Sequence, residues 1–276
     1  MGSIIERGSR KPITLATLGA MAARGEPFAC LTCYDASTAR WLEQAGVHVL
    51  LVGDTAAEVI LGLSRTIDMP FEVLLALTAA VRRGAPGALV MGDMPFMTYQ
   101  AGADKAMENA GRFLVEGKAD IIKLEADASY ASLVSRMASA GIPVCAHVGS
   151  KPQHVALTSG YKAQGRTRAD ADKVLEDARA LEEAGASMLL VEAVPGEVAE
   201  EVVGRARVPV IGIGAGPACH GQVVVLHDVM GLLEKTPGLA QPVANLGPAI
   251  REAAMQWVRR VAERDIGGKT FTMREP

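Results

Sequence analysis

Gly117-Lys118-Ala119-Asp120-Ile121-Ile122-Lys123-Leu124-Glu125 decides the fold: a glycine closes a helical segment, a short aliphatic run follows, and the run stops on a charged side chain. A helix-ending glycine takes the left-handed conformation at no steric cost. A short apolar run bounded in this way reads as a strand. The same order recurs on both sides, with Gly46 before Val47–Val52, Gly141 before Val144–His147 and Gly185 before Ser187–Val191. Phe28–Tyr34, Ala88–Gly92, Asp120–Leu124, Val208–Ile213 and the weaker Gln222–Leu226 bring the candidate strands to eight, with segments rich in Ala, Leu and Glu between them.

The runs are almost continuously apolar rather than alternating, as expected of a parallel sheet covered by helices on one side and filled by side chains on the other. An open doubly wound sheet gives similar local signals. Eight strands, with polar residues gathered where they end, favour a single-domain (β/α)8 TIM barrel. Thr14–Arg24 reads as an N-terminal capping helix that plugs the barrel. Pro248–Glu263 reads as a C-terminal closing helix with an apolar stripe, its proline suiting the first turn. Residues 1–11 and about 267–276 lack periodicity and read as loose ends.

The chain has 276 residues, 49% of them hydrophobic, enough for a large core. Its 28 basic and 31 acidic residues are interspersed, giving a net charge of −3 and no basic stripe for nucleic acid. Small molecules are therefore the expected partners. No apolar run is long enough for a membrane helix, and the N-terminus has no apolar signal core, so a cytoplasmic location is expected. Cys30, Cys33, Cys145 and Cys219 are too few for a disulfide scaffold, and the Cys30-x-x-Cys33 pair reads as two buried small residues.

The chemistry lies in what terminates the strands: Val52-Gly53-Asp54-Thr55, Met91-Gly92-Asp93, Lys123-Leu124-Glu125, Ala146-His147-Val148-Gly149 and Leu190-Val191-Glu192. In a barrel of this kind the C-terminal rim is where active sites are built. Any one of these residues alone would read as a helix cap or an ion pair. Asp54, Asp93 and Glu125 come from adjacent strands, and three converging carboxylates repel one another unless a cation lies between them. An all-oxygen site with open positions suits Mg²⁺, or a similar ion such as Mn²⁺. Such an ion would acidify the C–H next to the carbonyl of a 2-oxo acid by stabilising the enolate. Lys123, two residues from Glu125 on one strand, would add positive charge beside it. Glu192, flanked by apolar residues that would raise its pKa, is the expected proton acceptor. His147 has three readings: a metal ligand, a substrate or ligand-supporting contact, or a strand-closing residue. The second is preferred. Gly212-Ile213-Gly214-Ala215-Gly216 has the wrong spacing and place for a dinucleotide fingerprint and reads as a tight loop offering backbone amides to an anionic group.

These residues, with Leu31-Thr32-Cys33-Tyr34-Asp35, Val81-Arg82-Arg83-Gly84-Ala85-Pro86, Gly92-Asp93-Met94-Pro95-Phe96 and Gly160-Tyr161-Lys162-Ala163-Gln164-Gly165-Arg166, resemble the ketopantoate hydroxymethyltransferase family from about Thr14 to the C-terminal helix. The resemblance implies Mg²⁺ surrounded by Asp54, Asp93 and Glu125, directly or through water. It implies substrate contacts from Asp54, Thr55, Asp93 and Lys123, to which the reading above adds His147, and Glu192 as the base. It further implies 5,10-methylenetetrahydrofolate as one-carbon donor to 3-methyl-2-oxobutanoate, 2-dehydropantoate as product on the way to pantothenate, and a decameric homo-oligomer. Four places depart from the usual pattern: Thr55 for serine, Ala126-Asp127 for a glycine pair, Ser150-Lys151 before Pro152-Gln153, and His220 for aspartate. The alternatives are a Mg²⁺-dependent 2-oxo-acid lyase of the isocitrate lyase and phosphoenolpyruvate mutase group, whose Lys-Lys-Cys-Gly-His loop is not found here, and an inactive barrel paralogue.

Overall fold

Eight parallel strands close on themselves in sequence order in the computed structural model, which describes residues 11–234, 238 and 241–274. They are β1 Phe28–Thr32, β2 Val49–Val52, β3 Leu89–Asp93, β4 Ile121–Glu125, β5 Val144–Gly149, β6 Met188–Glu192, β7 Val210–Ile213 and β8 Gly221–Val224. The α-helices are α1 Leu15–Ala23, α2 Ala36–Gln44, α3 Ala56–Val59, α4 Phe71–Gly84, α5 Ala103–Val115, α6 Ala131–Ser139, α7 Val155–Thr158, α8 Arg168–Glu183, α9 Gly196–Arg205, α10 Leu226–Val229 and α11 Leu246–Ala262. The expected (β/α)8 barrel is thus the observed fold, each strand lying within a residue or two of its expected place.

Alternate residues of a strand face one side, and here the inward parity can be followed up the barrel. Cys30, Val49, Leu51, Leu89, Met91, Ile121, Cys145, Met188, Leu190, Ile211 and Val223 form one buried cluster in the interior. Continuing the same parity by one or two steps leads to Asp93, Lys123, Glu125, His147 and Glu192. The barrel is therefore filled by apolar side chains below and charged ones at its C-terminal rim.

The N-terminal helix plugs the other end, as expected. Thr14 and Thr17 form a reciprocal capping box, Ile13 N–H donates to the Gly87 carbonyl just before β3 at 2.8 Å, and Leu18 is fully buried in the interior cluster. Gly46, Gly141 and Gly185 have φ of +90°, +79° and +105°, as the sequence required. Gly117 differs: the left-handed residue there is Lys118, at φ +55°. Gly117 is needed for space instead, since a Cβ would stand 2.7 Å from the Phe113 carbonyl oxygen. All four cysteines are buried free thiols.

The chain divides into two units, the first containing the whole barrel through Leu226 and the second starting at His227. Within the second, the expected C-terminal helix is present as α11, but none of its residues is buried. The loose ends expected at 1–11 and 267–276 fall partly outside the described residues. Among the described residues no helix is long and apolar enough to cross a membrane.

Candidate active site

Strand register sets the first contacts at the rim. Asp93 lies opposite Lys123 across β3 and β4, and Asp93 Oδ1 is 2.9 Å from Lys123 Nζ, both side chains buried. The other oxygen, Asp93 Oδ2, accepts the Asp54 main-chain N–H at 3.0 Å. Asp54 stands one residue beyond Gly53, which follows β2, and is itself buried. Glu125 ends β4 opposite His147, and its carboxylate accepts the Gln153 main-chain N–H at 3.0 and 3.2 Å. Asp54, Asp93, Lys123 and Glu125 thus form one buried group in which three carboxylates face a single ammonium.

Its electrostatics follow from that imbalance. Burial, helped by the Asp54 charge and opposed by Lys123, pushes the Asp93 carboxyl up to about 7. Burial likewise pushes Glu125 well above the carboxylate range, with Asp54, Asp93 and Glu192 adding repulsion against the attraction of Lys123. For Lys123, burial opposes the charge, but Asp93, Asp54 and Glu125 outweigh it and hold the ammonium charged above its ordinary value.

Among the described residues no three His, Cys, Asp or Glu side chains stand together as a metal-holding group. Of the expected ligands Asp54, Asp93 and Glu125, Asp93 has one oxygen 2.9 Å from Lys123 Nζ, and both oxygens of Glu125 lie within reach of the Gln153 N–H. The donor set still fits a hard dication. With Asp93 and Glu125 deprotonated the group would carry an excess of two negative charges, every donor is oxygen, and Mg²⁺ commonly takes only one or two protein carboxylates and fills its octahedron with water and substrate. Asp54 and Asp93, already joined by a hydrogen bond, are the pair suited to it.

The remaining expected residues lie around this group. Glu192 ends β6 with its side chain 17% exposed, and its Oε2 is 3.3 Å from Nε2 of fully buried His147. Burial lowers the His147 pKa and keeps the imidazole neutral. Gly149 permits this packing: at φ +90°, with any Cβ only 2.5 Å from the Glu192 carbonyl oxygen, the position admits no side chain. Thr55 immediately precedes α3, and its hydroxyl accepts from the buried Tyr34 hydroxyl at 3.2 Å.

Two departures from the family pattern have local structural roles. Asp127 accepts from Ser129 N–H at 3.1 Å and pairs with Lys151 Nζ at 2.7 Å. Burial works against its charge, but the Lys151 and Ser129 hydrogen bonds prevail and hold its pKa down at about 2. His220 Nδ1 accepts the Val210 N–H at 3.0 Å where β7 begins, at the end of the barrel away from the rim.

Sequence reading missed Gln153. It is 2% exposed and touches Asp54, Glu125, Met94, Tyr99 and Gln100. The signal was available in Pro152-Gln153 shortly after a rim strand, but an uncharged amide does not stand out from a loop until its partners are known. Tyr99, whose hydroxyl is 2.9 Å from Gln153 Oε1, was missed for the same reason.

Fold and site together define a (β/α)8-barrel enzyme with a buried carboxylate–lysine centre at its C-terminal rim. The model of the family described as ketopantoate hydroxymethyltransferase matches residues 12–268. The chain belongs to that family. It is similar to 3-methyl-2-oxobutanoate hydroxymethyltransferase of Pyrobaculum islandicum, 45% identical over 85% of this chain and 90% of that one. It is 42% identical to the protein of the same name from Carboxydothermus hydrogenoformans, over 95% of this chain and 96% of that one. Among solved structures, phosphoenolpyruvate phosphomutase from Streptomyces platensis subsp. rosaceus superposes with a TM-score of 0.62 at 15% identity, covering 92% of this chain and 89% of that one. Phosphonopyruvate hydrolase, solved in complex with oxalate and Mg²⁺, gives 0.61 at 13% identity, covering 91% and 88%. At such identities the likeness shows the shared fold alone.

Proposed function

We propose that this chain transfers a hydroxymethyl group to 3-methyl-2-oxobutanoate from 5,10-methylenetetrahydrofolate, with water supplying the hydroxyl oxygen, to give 2-dehydropantoate and tetrahydrofolate for pantothenate synthesis. The observation that carries the reading is the inward face of the rim, where Glu192 and His147 stand beside the buried Asp54, Asp93, Lys123 and Glu125 group. The names of relatives that are 42–45% identical support the substrate.

Glu192 takes the proton from C3 of the substrate. The neutral His147 imidazole, 3.3 Å away, steadies the carboxylate that does so. The Lys123 ammonium faces the negative charge that develops on the 2-oxo oxygen when the C3 proton leaves, and Thr55 offers a hydroxyl to the substrate carboxylate. The C3 carbanion equivalent then forms the new carbon–carbon bond to the methylene carbon in place of one of that carbon's two bonds to folate nitrogen. Water replaces the other, leaving its oxygen as the product hydroxyl, while its proton and the C3 proton go to the nitrogens of the released tetrahydrofolate. A divalent cation, held by Asp54 and Asp93 with Glu125 beside them, supplies positive charge for the substrate carboxylate and carbonyl when bound. On the same reading the enzyme works in the cytoplasm as a homo-oligomer, and the exposed apolar side chains of α11, Ile250, Trp257, Val258 and Val261, support self-association.

The test is loss of the C3 proton signal of 3-methyl-2-oxobutanoate in D₂O, followed by NMR without folate and with or without Mg²⁺. Mg²⁺-dependent exchange is expected. No exchange in folded protein saturated with Mg²⁺ would remove the proposed half-reaction.

A further inference from the structure

Gln153 lies on the 3₁₀ turn Pro152–His154, just beyond β5, and uses both ends of its amide. Nε2 donates to Asp54 Oδ2 and to the Met94 carbonyl, each at 3.0 Å. Oε1 accepts from the Tyr99 hydroxyl at 2.9 Å and from Gln100 Nε2 at 3.0 Å. The Met94 carbonyl can only accept, so the amide nitrogen must face Asp54 and its oxygen must face Tyr99. The main-chain N–H of the same residue holds the Glu125 carboxylate. A buried amide is costly unless its donors and acceptors are satisfied, and here Asp54 and the Met94 carbonyl satisfy its nitrogen while Tyr99 and Gln100 satisfy its oxygen.

We propose that Gln153 is the positioning residue of the cation-binding carboxylates, its amide fixing the orientation of Asp54 and its main-chain N–H that of Glu125. The inference rests on the reading that Asp54 and Asp93 bind a divalent cation. Carboxylates that repel one another need a donor to hold them in register. A lysine or arginine would do so while cancelling the charge that attracts a dication, whereas a neutral amide adds no positive charge to the site. The turn is itself held from outside: Ser150 N–H donates to the Glu192 carbonyl at 2.9 Å, and Lys151 is paired with Asp127. Gln153 is thus braced between the strand that carries the base and those that carry the carboxylates.

The experiment is calorimetric titration of Mg²⁺ into the metal-free full chain, alongside thermal melts in EDTA and steady-state kinetics, for the parent, Gln153→Leu and Tyr99→Phe. Gln153→Leu retains bulk and the main-chain N–H but loses the amide. It should weaken Mg²⁺ binding by about 10- to 100-fold, raising the Mg²⁺ concentration for half-maximal rate in step, with the EDTA melt little changed. Tyr99→Phe removes one bond that orients the amide and should weaken Mg²⁺ in the same sense by less, and it decides the matter should Gln153→Leu not fold. Unchanged Mg²⁺ affinity in folded Gln153→Leu overturns the role of Gln153 alone. A folded parent that binds no Mg²⁺ overturns the cation reading together with it.

Discussion

Asp93 accepts the Asp54 N–H on one oxygen and faces the Lys123 ammonium with the other, yet burial still pushes its carboxyl up to about 7. An acid whose folded pKa lies above its unfolded value near 4 binds its proton more tightly in the native state, so the metal-free protein loses stability through this group as pH rises from about 4 to about 7. Asp93→Asn abolishes that titration. Its stability relative to the parent should increase across the window by at most ~1.4 kcal/mol per pH unit, measured by urea unfolding in EDTA at low and neutral pH. His147 titrates in both proteins and cancels in the difference; a flat offset would mean that native Asp93 is ionised throughout. Glu192 tests the chemistry rather than the stability: Glu192→Gln should lower turnover by ~10²–10⁴-fold while the melting temperature and Mg²⁺ affinity hold. Unchanged turnover would remove Glu192 as the base.

The connection from β5 into the Pro152–His154 turn decides how the rim is assembled. Gly149 lies opposite Glu192 in the strand register, and its positive φ aims the chain so that Ser150 N–H reaches the Glu192 carbonyl. Gly149→Ala would place a Cβ against that carbonyl in a conformation L side chains avoid, with an expected loss of about 1–3 kcal/mol by denaturant unfolding, and with turnover falling because the base-bearing end of β6 shifts. Wild-type stability in that variant would show that the turn relaxes freely. None of this could be read in the sequence, where Gly149 to Gln153 is simply a short polar stretch after a strand. The strands themselves were legible, since aliphatic runs bounded by glycine and a polar residue have few other readings.

For the whole barrel, a cation that binds only the folded form should raise stability by about 2.7 kcal/mol at a hundred times its dissociation constant. Because Asp93 and Glu125 must lose their protons to bind it, the rise in melting temperature with Mg²⁺ should be larger at pH 7.5 than at pH 5.5. A shift that does not vary with pH would place the cation away from these two groups. Sequence alone determined the eight-stranded barrel, its N-terminal plug and the charged residues of the rim, because inward parity and strand-ending residues are properties of local spacing. Tertiary structure decided how those residues engage: Asp93 with Lys123, His147 with Glu192, and Gln153 between Asp54 and Glu125. Those contacts join residues as far as 99 positions apart, and their partners are fixed only when barrel closure and register bring separate strand ends to one rim.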